Sequence, residues 1–272
     1  MTVRVVNQGV ATEFDVLGSG PPVLLLHGFP DTGRRLWRHQ VGALVDHGYR
    51  VVVPDLRGYG RSDKPAPVGA YGLVTVAGDV GAILDELGLE RAHVVGHDWG
   101  AALAWVLATL FPERVDHLAV LAVGHPRAFA DAGLRQLELS WYTLLFQFEG
   151  VAERWLADGG LATLGGGHPD GDRVVTEFLG NGSLTPALQW YRANLPPDRL
   201  VGPPLELPPV VAPTLGIWGT RDAALTELQM TGSAAHVRGP WRYERVEGAG
   251  HWMQLDHPEE VNRLLLDFLP RP

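Results

Sequence analysis

The chain has 272 residues, 46% hydrophobic and 19% charged, a balance that suits one folded α/β domain and argues against disorder. A formal net charge of -9 at pH 7 without any run of Lys or Arg argues against a nucleic-acid or anionic-membrane surface. With no cysteine there is no disulfide and no thiolate chemistry.

Taken in chain order, VRVV (3–6) and TEFDV (12–16) lie close together and read as an antiparallel hairpin at a sheet edge. VLLLHG (23–28), YRVVVPD (49–55), HVVGHD (93–98) and LAVLAV (118–123) read as further strands, with helices predicted at 34–46, 75–87 and 99–111 from apolar residues three and four apart. Near the C-terminus, TLGIW (214–218) and RYERVE (242–247) bring the strands to eight, with helices predicted at 223–235 and 258–268. Strands alternating with helices predict an α/β fold: a mostly parallel eight-stranded sheet with helices on both faces.

The alternation stops at 127–209. There LELSWYTLLFQF, VAERWLA, VVTEFLG and TPALQWYRANL are helical and aromatic, and the stretch ends in PPLELPP. It reads as a helical cap inserted into a core made of 1–126 and 210–272, with the glycine-rich GGLATLGGGHPDGD as a mobile connection inside it. No apolar run approaches the ~20 residues of a membrane span, and the N-terminus lacks a leader pattern, so the expected location is the cytoplasm. Among 11 histidines, His93 and His97 are four apart across a strand and a turn, and there is no HxH or HExxH pattern. Neither a metal nor a cofactor is expected.

GHDWGA (96–101) sits between strand and helix in the form of a nucleophile elbow, with small Gly96, Gly100 and Ala101 where a sharp turn needs them. Alone the pattern is weak, since Asp98 could simply cap the helix that follows. Two further features agree with it. HGFP (27–30) would present the Phe29 N–H opposite that of Trp99 as a two-donor oxyanion hole, and Asp222 and His251 follow later strands in the order nucleophile, acid, histidine.

A carboxylate at the elbow restricts the substrate. Serine attacking an sp³ carbon would leave an ether that activated water cannot cleave, whereas a carboxylate leaves an alkyl ester that water can hydrolyse. Asp98 as nucleophile, with His251 as general base and Asp222 orienting it, therefore implies an epoxide or a carbon bearing a halide.

Through HGFP, YRVVVPDLRGYGRSDKP, GHDWGA, the pair His125 and Pro126, and GHWMQLDHPEEVN, the chain resembles α/β-hydrolases of the epoxide hydrolase branch over nearly its whole length. The resemblance implies that Tyr142, in SWYTLLFQFEGVAE, and Tyr191, in LQWYRANL, donate hydrogen bonds to the epoxide oxygen on the way to a vicinal diol. Each tyrosine alone could equally be a packing aromatic. Haloalkane dehalogenases share the carboxylate and remain the alternative, although many of them carry asparagine where this chain has Phe29. Fluoroacetate dehalogenases place arginine where this chain has Trp99. A non-catalytic receptor on the same scaffold would be expected to lack one of Asp98, Asp222 and His251. Phe148-Glu149 departs from the Glu-Pro common in relatives, which leaves cap geometry open. Trp99, Trp141, Phe146, Trp190, Trp252 and Met253 are candidates to line an apolar pocket, or plain packing residues, while Asp55 and Tyr59 read as structural. An exposed apolar cap face could join two copies as a homodimer.

Overall fold

Every one of the eight apolar runs forms a strand in the computed structural model, which describes residues 1–200, 202 and 206–272. The strands are β1 (Thr2–Asn7), β2 (Val10–Leu17), β3 (Pro22–Leu26), β4 (Arg50–Pro54), β5 (Ala92–His97), β6 (Val115–Leu121), β7 (Thr214–Gly219) and β8 (Trp241–Val246). They make one sheet in the order β1-β2-β4-β3-β5-β6-β7-β8. β1 and β2 pair antiparallel at the edge, as does β2 with β4, and all later pairs are parallel.

Continuous apolar runs become central strands because both faces of the sheet are covered. Alternation along β3 sends Leu24 and Leu26 into one core layer, with Val94, Val120 and helices Leu73–Glu86 and Trp99–Leu110. Val23 and Leu25 enter the other, with Val95, Ile217 and helices Arg38–Asp46 and Pro258–Phe268. The parallel strands end on one edge. Strand order reverses around β3, and ligand sites in such sheets lie at a reversal of this kind, here the carboxyl ends of β3 and β5.

Two predicted helices differ. The one at 34–46 is broken into Gly33–Leu36 and Arg38–Asp46 at Trp37, whose ring is turned wholly into the core. The one at 223–235 is helical only at Glu227–Thr231, followed by a 3₁₀ turn at Gly232–His236. Its first residues are taken by side chains instead: Asp222 Oδ1 accepts the N–H groups of Ala224 and Leu225, and Gln136 Oε1 accepts that of Thr226.

Between β6 and β7 the described residues form helices and turns and no strand. The main helices are Gly171–Gly180 and Leu184–Asn194. Of PPLELPP, Pro203 to Leu205 lie outside the described residues. The glycine-rich stretch connects helices as expected but is not free chain: Leu161–Leu164 is a helical turn, and His168 is buried against the core.

Candidate active site

Asp98 follows β5 directly and starts the helix Trp99–Leu110 with φ 53° and ψ -122°, a left-handed conformation that is strained for a side chain bearing a Cβ. The turn closes because its neighbours are glycine. A Cβ on Gly96 would run into the Gly100 carbonyl and the Ala101 backbone, and one on Gly100 into the carbonyls of Leu26 and His27. The Asp98 carboxylate makes no capping bond to its helix. Its Oδ1 instead accepts the Phe29 N–H at 2.7 Å. Gly28 makes that approach possible, since any Cβ there would overlap the carboxylate.

His251 lies beyond β8 and Asp222 beyond β7, so neighbouring strand ends bring together residues far apart in sequence. Asp222 Oδ2 is 2.8 Å from His251 Nδ1, and Asp98 Oδ2 is 3.6 Å from His251 Nε2. Burial disfavours the charged imidazole, but the two carboxylates outweigh it and raise His251 to about 10. Burial likewise pushes Asp98 up, and hydrogen bonding and charge from His251 bring it below the usual carboxylate range. The helix N-terminus favours the same ionised form. The side chains of Asp98 and His251 remain 16% and 10% exposed.

Sequence reading weighs His97 only as a metal ligand with His93 and gives it no part in this site. It is fully buried, its Nε2 is 2.9 Å from the His251 carbonyl, and its ring packs 4.7 Å from that of His251. Burial, then the charge of His251, lowers it to about 4. A neutral His97 therefore donates to the His251 backbone and fixes the loop. Only its position next to Asp98 hints at this.

Tyr142 and Tyr191 come from different helices of the 127–209 segment and meet with ring centroids 6.2 Å apart. The Tyr191 ring stands edge-on to Trp99 at 4.9 Å and to Phe29 at 5.8 Å. Burial first and the Asp98 charge second raise both phenols above their ordinary value, so both stay protonated at neutral pH.

Phe146 is buried between Phe29 and Tyr191, and Trp190 packs on Trp99 while its Nε1 donates to the Arg57 carbonyl. Trp252 packs on His251. Two expected lining residues are not in this cluster. Trp141 is 50% exposed, on the outside with Leu137, Leu144 and Phe148, because the chain there turns Tyr142 and Phe146 inward. Met253 is fully buried in the core layer of the C-terminal helix.

A second unanticipated contact ties the 127–209 segment to the oxyanion loop. His168 Nε2 lies 3.2 and 3.3 Å from the two oxygens of Asp31, one residue past HGFP, with both side chains almost wholly buried. The Asp170 N–H donates to His168 Nδ1 at 2.9 Å, which leaves Nε2 as the donor to Asp31. Asp55 accepts the N–H groups of Gly33 and Arg61, and Tyr59 packs edge-on to His27.

Residues 21–167 match the family model described as alpha/beta hydrolase fold. The chain is 35% identical to Epoxide hydrolase 3 of Xenopus tropicalis, over 98% of this chain and 77% of that one. Among solved structures it is similar to Epoxide Hydrolase A of Mycobacterium thermoresistibile, with 32% identity, TM-score 0.83 and coverage of 99% and 98%. It is also similar to a variant epoxide hydrolase from Bacillus megaterium in complex with its naphthyloxy-propane-1,2-diol product, with 28% identity, TM-score 0.85 and coverage of 98% and 99%. No helix among the described residues is long and apolar enough to cross a membrane.

Proposed function

The chain belongs to the α/β-hydrolase superfamily, in its epoxide hydrolase branch, and from that premise we propose that it opens an apolar epoxide to a vicinal diol through an ester on Asp98. Asp98 Oδ2, the oxygen turned toward His251, attacks one epoxide carbon. The Oδ2–C bond forms, the C–O bond of the ring breaks, and the departing oxygen takes a proton from Tyr142 or Tyr191. As the Asp98 charge is consumed, one of the influences holding the phenols protonated disappears, so they become better acids as the alkoxide forms.

The same change readies the second step. With Asp98 esterified, His251 keeps Asp222 as a partner but loses the other carboxylate, so its affinity for a proton falls and the proton it held passes on to the tyrosinate left by the first step. Neutral His251 Nε2 then takes a proton from water, whose oxygen bonds to Asp98 Cγ. The charge that develops on Oδ1 is held by the N–H groups of Phe29 and Trp99. Collapse breaks the Cγ–O bond to the alkyl group, His251 returns the proton to the departing oxygen, and as the diol leaves the new Asp98 carboxylic acid gives its proton to His251, which restores the starting ion pair. Trp99, Phe146, Trp190 and Trp252 supply apolar walls for the substrate, under a cap made by the 127–209 segment.

The observation that supports this reading over halide displacement is the pair of tyrosines, Tyr191 buried and Tyr142 half-buried, that meet 6.2 Å apart beside Phe29 and Trp99 and stay protonated at neutral pH. An alkoxide leaving group needs such donors, whereas a halide needs only a weakly polar cradle. Incubation with styrene oxide and, separately, with a bromoalkane tests it. Diol formation without bromide release is expected, and bromide release without diol would make the chain a dehalogenase.

A further inference from the structure

Strands β5 and β6 are out of step at their first residues. Ala92 pairs with Val115 and Val94 with Leu118, so His93 alone stands opposite two residues, Asp116 and His117. In a regular strand those two would point to opposite faces. The bulge turns both toward His93. Asp116 Oδ2 lies 3.1 Å from His93 Nδ1 and 3.3 Å from His117 Nδ1, and one ligand atom from each residue lies within 4.8 Å of the others. The two imidazoles meet edge to face at 5.1 Å, and are backed by the rings of Tyr49 and Phe268. The side chain of His93 is only 6% exposed. Neither Nδ1 finds a hydrogen-bond partner in usable geometry.

We propose that His93, Asp116 and His117 form a binding site for one divalent transition-metal ion, with Zn²⁺ the expected occupant. Two imidazole nitrogens and one carboxylate oxygen are a donor set that zinc takes readily, whereas Mg²⁺ and Ca²⁺ prefer oxygen alone. The spacing also fits. Bonds of about 2.0–2.2 Å arranged tetrahedrally put neighbouring ligand atoms about 3.4 Å apart, close to the 3.1 and 3.3 Å from Asp116 Oδ2 to the two imidazoles, while the two imidazole nitrogens lie within 4.8 Å of each other and would close on the ion. Asp116 is partly exposed, which lets an ion enter and leaves the fourth position to water. Arg91 is an exposed competitor, 3.9 Å from the other Asp116 oxygen, Oδ1. The site lies at the N-terminal ends of the strands, away from the carboxyl-end edge that carries Asp98, so the ion clamps β5 to β6 and takes no part in the reaction. Histidine spacing along the chain cannot reveal it, because the partners of His93 belong to the adjacent strand.

The test is calorimetric titration of chelator-treated, dialysed full-length protein with ZnCl₂, repeated for His117→Ala, Asp116→Asn, His47→Ala and His251→Gln. One equivalent should bind the unmodified protein and raise its melting temperature by roughly 5 °C at a hundredfold excess over Kd. His117→Ala and Asp116→Asn should weaken binding at least about tenfold. Both residues reach the surface, and melting without metal checks that each variant folds. His47→Ala, at an exposed histidine elsewhere, and His251→Gln should bind as before. The proposal is overturned if no equivalent binds, if the His117 and Asp116 variants bind undiminished, or if His251→Gln abolishes the site.

Discussion

Gly28→Ala probes the oxyanion loop without replacing any residue assigned to the chemistry. The new methyl carbon would lie closer than 3.0 Å to Oδ1, Cβ and Cγ of Asp98. Asp98 cannot retreat, because its backbone is held in the strained elbow by Gly96 and Gly100. The loop must therefore move, and the 2.7 Å bond from the Phe29 N–H to Oδ1 is the contact that lengthens. Loss of one oxyanion donor costs about 10²–10³ in rate, roughly 3–4 kcal/mol, and overpacking costs about 1–3 kcal/mol of stability. Because that donor serves the tetrahedral intermediate, hydrolysis of the ester should slow more than its formation. Rapid quench with styrene oxide followed by intact mass should show ester accumulating in a protein whose melting curve remains cooperative. A folded Gly28→Ala protein with kcat/KM within threefold of the parent and no accumulated ester would refute the assignment of the Phe29 N–H.

Tyr142→Phe and Tyr191→Phe should each lower kcat/KM for styrene oxide by about 10–100-fold, and the double variant by about 10²–10⁴, with melting almost unchanged; a double variant of full activity would reduce both tyrosines to packing. Asp31→Ala leaves the buried His168 Nε2–H without its acceptor and should cost about 1–3 kcal/mol, while Asp31→Ala combined with His168→Leu should be much closer to the parent; additive losses in thermal melts would contradict a coupled pair. His251 binds its proton more tightly in the native state than the usual 6.5, so that stabilisation is complete below about 6.5 and is lost as pH rises toward about 10. The melting temperature should fall across this window, less steeply in Asp222→Asn, and a parent curve that stays flat from pH 7 to 10 would contradict the raised value.

The strands were legible because a sheet covered on both faces needs apolar residues at successive positions, as in Val23 to Leu26. The elbow was legible because its turn admits only small neighbours. What failed depended on side chains competing for the backbone or on distant partners. Nothing in the periodicity of 223–235 tells that Asp222 and Gln136 will take its first N–H groups. His168 looked like part of a loose glycine-rich connection because Asp31, which holds it, is 137 residues away. Trp141 looked like a pocket wall, yet Tyr142, beside it, is the residue the turn directs inward.

Covalent catalysis by Asp98 is tested most directly by the intact mass of His251→Gln after incubation with styrene oxide. Without the base, ester hydrolysis should stall, and the protein should gain the mass of one whole epoxide, a gain lost when Asp98→Ala is added. An unmodified mass from a variant that folds and binds the epoxide, or an adduct that persists in the Asp98→Ala background, would contradict an ester on Asp98.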